Sequence, residues 1–478
     1  MKWALYNLLF AAVYPFLLPG FLVRMLRRGG YAARMGDRFA LYPVGLFGEN
    51  RPLYDSHASR GAPGGRALPM VGADVLGGPK GFVWVHAVSV GEVQVAGQLM
   101  REWRKIEPDV RFCFSTTSST GWKMAEKEVA ANDVLIYNPL DFPNFVKSAL
   151  RTVRPRAIVL TESEIWPNFI LQAKKMEIPL FLINARVSDR SAPRYKAAKW
   201  FFGEVLSCFT KIFAQSDLDK ARLVAAGAPE AKVEVTGSFK FDVARRNEAK
   251  ERELREWIWG DEAAKNAKSA KILLGGSTWP GEDEVLLGIY KRLLSAAVDC
   301  NRLLLVLAPR HFEKADAVEA NIRKYGFACV RRSRESKSKD EVEQRKEKFH
   351  CSPSAKDFDS PPVYLADTTG ELMGLYGIAD VVFVGKSLCA HGSQNMIEPC
   401  LCGKPTLVGP YTENFRPVMS DLLASDAIIQ VKDVKELEER VIDLFGKDDA
   451  GLGARAKAAV EKRLGVVAKC VSEIRGAL

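Results

Sequence analysis

Several short runs place acidic, basic or small residues where they could act on a hydroxyl or a phosphate. Glu92 ends the run His86-Ala-Val-Ser-Val-Gly-Glu92, directly behind an apolar stretch. A carboxylate there can serve as a general base, taking the proton of an attacking hydroxyl. The same residue also reads as a first-turn glutamate capped by Ser89, favoured by the helix dipole. Glu162-Ser-Glu164-Ile-Trp-Pro167-Asn168 follows another apolar run. Its two carboxylates need partners if buried, and either could cap the helix that Pro167 opens. Lys240 in GSFKFD is either a surface lysine or a cation beside a departing phosphate.

A second group of motifs suits nucleotide binding. Pro309 and Arg310 follow LLLVLA, where a bidentate contact from arginine to phosphate is natural. Gly275-Gly276-Ser277-Thr278 reads as a strand-to-helix turn whose amides could approach an anion. In Asp367-Thr-Thr-Gly370-Glu371-Leu372 the missing side chain of Gly370 leaves room for a base or ribose. Asn395 and Glu398 stand three apart, on one helix face, where the glutamate could accept two hydrogen bonds from a ribose diol. Asp217-Leu-Asp219 has the spacing of a metal-sugar site, but Ser216 before it and Gly227 after it read as a capped helix. No group of His, Cys, Asp and Glu has convincing metal-ligand spacing, so neither a metal nor another cofactor is expected.

The elements that position these residues are alternating strands and helices. FVWVHAV, VRFCFSTT, VLIYNPL, AIVLTE, PLFLINAR, KIFAQS and VEVTG alternate with polar-apolar helical stretches, and KILLGGS, LLLVLAPR, VVFVGKS and TLVGP begin the series again. The spacing predicts an α/β fold with two doubly wound parallel sheets. The expected boundaries are an anchor over 1–28, a first Rossmann-like domain over 29–244, a charged linker over 245–270 and a second Rossmann-like domain over 271–478. Gly/Pro-rich residues 50–81 and charged residues 331–362 read as surface inserts. Two such domains are expected to bind ligands in a cleft, at the carboxyl ends of their strands.

The formal charge of +11 over 478 residues suits an anionic partner. No helix-turn-helix, zinc finger or aromatic RNA-binding signature is present, which argues against nucleic acid. Nine scattered cysteines lack a CxxC pair and fit a reduced, cytoplasmic setting. Trp3 to Val23 carry no charge and precede Arg24, Arg27 and Arg28. That pattern predicts a membrane anchor with the body of the protein on the cytoplasmic side. Pro15, Pro19 and Gly20 leave a short interfacial anchor in competition with a full span.

Taken in order, HAVSVGE, TESEIWPN, INARVSDRS, AQSDLD, GSFKFD, GGSTWPGED, APRH, DTTGEL and QNMIEPCLCGKPTLVGPYTENF resemble the bacterial 3-deoxy-D-manno-octulosonic acid (Kdo) transferases. The resemblance implies a GT-B fold and metal-independent, inverting transfer of Kdo from CMP-Kdo to a lipid A precursor at the inner membrane. It implies Glu92 as proton acceptor, with Glu164 and Lys240 stabilising the transition state. It also implies CMP contacts at Pro309 and Arg310, at Gly370, Glu371 and Leu372, and at Asn395, Met396, Ile397 and Glu398. The chain departs from the family at Gly392-Ser393-Gln394-Asn395, where a Gly-Gly-His-Asn run is common, and at Trp279, where histidine is common. Both inserts look longer than usual. Another GT-B enzyme using a UDP-sugar, a transferase or a 2-epimerase, is the alternative expectation.

Overall fold

The computed structural model describes residues 2–3, 6–13, 16, 32–47, 81–243, 248–265, 271–295, 303–335, 362–446 and 450–478. The chain forms two compact units, Met1–Phe239 with Gly465–Leu478, and Lys240–Leu464.

The first unit holds a seven-stranded parallel sheet: β1 (Val83–His86), β2 (Phe112–Thr116), β3 (Val134–Tyr137), β4 (Ala157–Thr161), β5 (Leu180–Ala185), β6 (Lys211–Ala214) and β7 (Val233–Val235), in the order β3-β2-β1-β4-β5-β6-β7. Nearly every strand position is apolar and buried, as expected when both faces of a parallel sheet are covered. Period two sorts them. Trp84, Cys113, Ile158 and Leu182 pack on one face with Phe169, Val205 and Leu223 from helices. Val83, Val85, Phe114 and Val159 pack on the other, against Val93, Leu99 and Trp103 of helix α1 (Val90–Ile106).

The second unit repeats the plan: β8 (Lys271–Thr278), β9 (Leu303–Pro309), β10 (Cys329–Arg331), β11 (Val363–Leu365), β12 (Val381–Val384), β13 (Thr406–Val408) and β14 (Ile429–Gln430), ordered β10-β11-β9-β8-β12-β13-β14. All pairings are parallel. Two doubly wound α/β units are therefore present, as the alternation predicted.

Four local expectations change. Gly275 to Thr278 do not form a turn but complete β8. The glycines are required by packing, because a Cβ on Gly275 would meet Leu286 at 2.5 Å and one on Gly276 would meet the Tyr376 hydroxyl at 2.6 Å. The stretch 245–270 is helical as its charged pattern suggests, over Glu248–Lys265, but it is not a free linker: Leu254 and Ile258 are buried in the second unit's core. Residues Arg331 to Glu335, expected in a surface insert, are ordered; Arg331 pairs with Asp316, Glu319 and Asp367. Finally, the helix Val466–Gly476 belongs to the first unit, where Val467, Cys470 and Val471 join the core beside α1. Residues 48–80 and 336–361 of the two inserts lie outside the described residues, as do residues 17–31 at the end of the expected anchor. No described helix is long and apolar enough to cross a membrane.

Candidate active site

In each sheet the winding direction reverses at one point, and the crevice beyond the strand ends there is where ligands of such sheets bind. In the first unit it lies between β1 and β4, which run side by side from Val83 opposite Ala157 to His86 opposite Leu160. The runs ending in Glu92 and beginning at Glu162 leave these two strands. In the second unit it lies between β8 and β12. Backbone strain occurs at the ends of three of these strands: Glu162 after β4, Ser277 near the end of β8 and Lys386 after β12 have φ between +51° and +57°. Non-glycine residues adopt this region at a cost, and such residues cluster at functional sites.

Glu92 sits in the first turn of α1. Ser89 caps this helix by accepting from the Glu92 amide at 3.3 Å, and its hydroxyl donates to Glu92 Oε1 at 2.8 Å. The Val88 amide donates to Oε2 at 2.9 Å, and Thr161 Oγ1 from β4 lies 3.4 Å from the same oxygen. The arrangement resembles a capping box, with the glutamate reaching the amide of the residue before the N-cap. The capping reading of Glu92 is therefore correct, and it leaves a carboxylate of fixed orientation, 9% exposed, at the switch point.

The two carboxylates of the Glu162 run have separate fates. Glu162 is buried and held by Arg186 Nε at 2.7 Å and Asn184 Nδ2 at 3.3 Å. Glu164 is partly exposed; its Oε2 accepts from Trp166 Nε1 at 2.9 Å and lies 3.7 Å from His86 Nε2. Neither caps the following helix, α2 (Pro167–Lys175). That role falls to Asp141, which accepts from the amides of Asn168 at 3.0 Å and Phe169 at 2.8 Å. Asp141 carries no local signal, since its partners lie 27 and 28 residues away. Burial pushes its carboxyl up to about 6, although the two amides and the Tyr6 hydroxyl favour the anion. Burial, and then the charge of Glu164, push the Tyr195 hydroxyl up as well.

Lys240 opens the second unit in the short helix Phe239–Val243. Its Nζ donates to the Asn414 carbonyl at 3.0 Å and lies 4.3 Å from the Phe415 ring centre. Pro309 ends β9. Arg310 follows with its side chain exposed and without a protein partner among the described residues, while its amide donates to Thr278 O at 3.0 Å. Gly370 has φ +84°, so its requirement is backbone conformation rather than space. Glu371 is tied to Arg332, Lys250 and Thr368. Leu372 begins the helix Leu372–Ile378 and is partly buried against the core.

Asn395 and Glu398 do meet, but not on one helix face: the helix spans Ile397–Leu401 and Asn395 precedes it. Asn395 Nδ2 donates to Glu398 Oε1 at 3.0 Å, and Asn395 Oδ1 accepts from the Ile397 amide. Burial raises the Glu398 carboxyl above its usual range, and Asn395 opposes that shift. The side chains of Met396 and Ile397 belong to the core, which leaves only their backbone for a ligand.

Two site features escaped the sequence reading. Glu282, fully buried, accepts from the amides of Trp279, Lys386, Ser387, Leu388 and Cys389 and thereby shapes the loop beyond β12. Tyr376 buries a hydroxyl with no hydrogen-bond partner among the described residues against β8, within the field of Glu398. The Asp217 and Asp219 pair is a helix start: Ser216 accepts from the Asp219 amide, and Asp219 itself accepts from the Val187 amide at 2.9 Å.

Residues 34–243 match the family model described as 3-deoxy-D-manno-octulosonic-acid transferase (kdotransferase). A 3-deoxy-D-manno-octulosonic acid transferase of Haemophilus influenzae is 30% identical over 366 residues, 76% of this chain and 79% of that protein. A bifunctional glycosyltransferase/methyltransferase of Fusobacterium nucleatum is 29% identical over 75% of this chain, which spans about half (52%) of that longer protein. Among solved structures, a glycosyltransferase of Rickettsia africae shares the fold at a TM-score of 0.51 and 14% identity, over 83% of this chain and 97% of that one. This chain belongs to the 3-deoxy-D-manno-octulosonic-acid transferase family.

Proposed function

We propose that this chain transfers Kdo from CMP-Kdo to a phosphorylated lipid A precursor, with inversion and without a metal, on the cytoplasmic side of the inner membrane. Glu92 removes the proton of an acceptor hydroxyl. The oxygen then bonds to the anomeric carbon as the bond from that carbon to the CMP phosphate breaks, and CMP departs. Glu164 stabilises the transition state. Lys240 and Arg310 offset the charge of the departing phosphate, while the Asn395 and Glu398 pair and the backbone at Gly370 hold the nucleotide. A CMP leaving group bears a single phosphodiester charge, so a few cations and amides suffice.

What carries the proposal is Glu92: membership of the family is joined to a carboxylate clamped by Ser89 and Val88 beyond the end of β1. Attachment to the membrane has its own support. Trp3, Tyr6 and Asn7 bond to Glu204, Asp141 and Asn168 of the first unit, and Phe10 packs on Phe142. Leu8, Leu9, Val13 and Phe16 are exposed, Phe16 by 85%, and Trp200 is exposed as well. One face bonded to protein and an apolar face left open is the pattern of an interfacial anchor. The net charge of +11 suits a phosphorylated acceptor in an anionic leaflet.

The test is transfer from CMP-Kdo to a lipid A precursor by the membrane-bound protein, with Glu92→Ala inactive but still stabilised by CMP in a thermal-shift assay. Stabilisation by UDP rather than CMP, or transfer retained by Glu92→Ala, would refute the donor or the base.

A further inference from the structure

Three loops leave the carboxyl ends of β9, β8 and β12, which are neighbours in that order at the second switch point. Arg310 follows β9, and its amide donates to Thr278 O at 3.0 Å. Trp279 follows β8, with its ring centre 4.8 Å from that of His311. Lys386 follows β12, and its Nζ lies over the Trp279 ring, 5.0 Å from the centre.

The backbone fixes this last pair. Glu282, fully buried, accepts from the amides of Trp279 and Lys386 through one oxygen, Oε2, at 2.8 Å each. Lys386 is held at φ +57°, and its carbonyl accepts from the Ser393 amide at 2.7 Å. Glycine would take this conformation without strain. Lysine accepts the strain and adds a cation, at a place where such strain tends to mark function. The ammonium has no ion pair or hydrogen bond among the described residues. An aromatic face holds a cation without neutralising it, so its N–H donors are left for a ligand.

Charge counting identifies that ligand. CMP-linked Kdo carries two anionic groups, the phosphodiester and the carboxylate on the anomeric carbon. The phosphodiester is met by Arg310 and Lys240 in the mechanism above. Lys386 stands two strands across from Arg310, roughly 10 Å at the backbone, with β8 between them. The carboxylate is bonded to the carbon that bears the phosphate oxygen, so the two anions are only a few bonds apart. Cations from the two strands that flank β8 can meet one each. The residues proposed to hold the nucleoside leave the same loop: the Gln394 amide donates to Gly385 O at 3.1 Å, just before Asn395.

We propose that Lys386, braced on the Trp279 ring, binds the carboxylate of the donor sugar. The proposal rests on CMP-Kdo as the donor.

The test compares two constants for the full-length, membrane-bound protein. One is the KM of CMP-Kdo; the other is the inhibition constant of CMP, which has the phosphate but no sugar carboxylate. Lys386→Met keeps much of the side chain and removes its charge. It should raise the KM roughly 10-fold or more, the scale of a charged hydrogen bond, and leave the CMP constant where it is. Lys386→Arg should restore most of the affinity. Trp279→Leu should raise the KM by less, and should add nothing to Lys386→Met, because the ring acts through the ammonium. Melting temperatures check that each variant is folded.

An unchanged KM in Lys386→Met overturns the proposal. Equal weakening of CMP and CMP-Kdo also overturns it, by placing the lysine on the phosphate. Additive losses in the double variant overturn the bracing by Trp279. In each of these cases a wild-type protein that transfers Kdo keeps its proposed donor. A wild-type protein that neither uses CMP-Kdo nor is inhibited by CMP refutes the donor, and the carboxylate contact with it.

Discussion

The Tyr6 hydroxyl donates to Asp141 at 2.9 Å, so the carboxylate that caps α2 also holds the first segment of the chain. A residue in the loop after β3 therefore joins the apolar N-terminus to the helix that follows Glu164 and Trp166.

This carboxylate should make stability depend on pH. Its value of about 6 lies above the ordinary 3.8, so the folded state binds the proton more tightly than the unfolded chain. The stabilisation is complete below 3.8 and is lost as pH rises through 6, by about 3 kcal/mol. Tyr6→Phe removes a donor that favours the anion, so it should move the upper edge of this window further up. Chemical denaturation between pH 4 and 8 measures both effects.

At the first switch point, Ser89→Ala should cost about 1 kcal/mol, the usual worth of an N-cap. It should also lower kcat, because Glu92 loses the hydroxyl that orients it. Glu92→Gln should keep the fold and abolish transfer. Urea unfolding and a transfer assay on the same preparations separate the two effects.

Binding of CMP should weaken on acidification. The buried carboxyl of Glu398 is raised above its usual range, so it takes up a proton, and loses an acceptor for a ribose diol, at a pH where exposed glutamates remain ionised. Glu398→Gln should bind CMP roughly 10-fold or more weakly, the cost of a charged hydrogen bond. It should also lose the acid-side dependence, as followed by calorimetry from pH 5 to 8.

Close packing beneath the second switch point gives a pair of opposite effects. Gly276→Ala drives a methyl against the Tyr376 ring and hydroxyl and should destabilise by about 1–3 kcal/mol. Tyr376→Phe removes a buried hydroxyl with no partner among the described residues and should be neutral or stabilising. Melting curves decide both.

The open face of the first helix should govern membrane attachment. Combining Leu8→Ser, Leu9→Ser and Phe16→Ser removes exposed apolar side chains. The variant should float less with anionic vesicles in a density gradient, with its melting temperature unchanged.

Much of the fold is written locally. Buried parallel strands such as AIVLT and LFLINA announce themselves as short apolar runs, and Ser89 with Glu92, like Ser216 with Asp219, is a cap whose two halves lie three residues apart. The meeting of Asn395 with Glu398 is of the same kind. Such features depend on backbone periodicity over a single turn, which the order of residues states outright. Tertiary structure alone decided the rest. It put Asp141, not Glu162 or Glu164, on the start of α2 and returned the last helix to the first core. It also gathered the amides beyond β12 onto Glu282 and turned Met396 and Ile397 inward. Each of those outcomes joins residues far apart in the chain or depends on which face of an element finds a neighbour, and hydrophobic packing, being without direction, settles such matters only when the sheets are assembled.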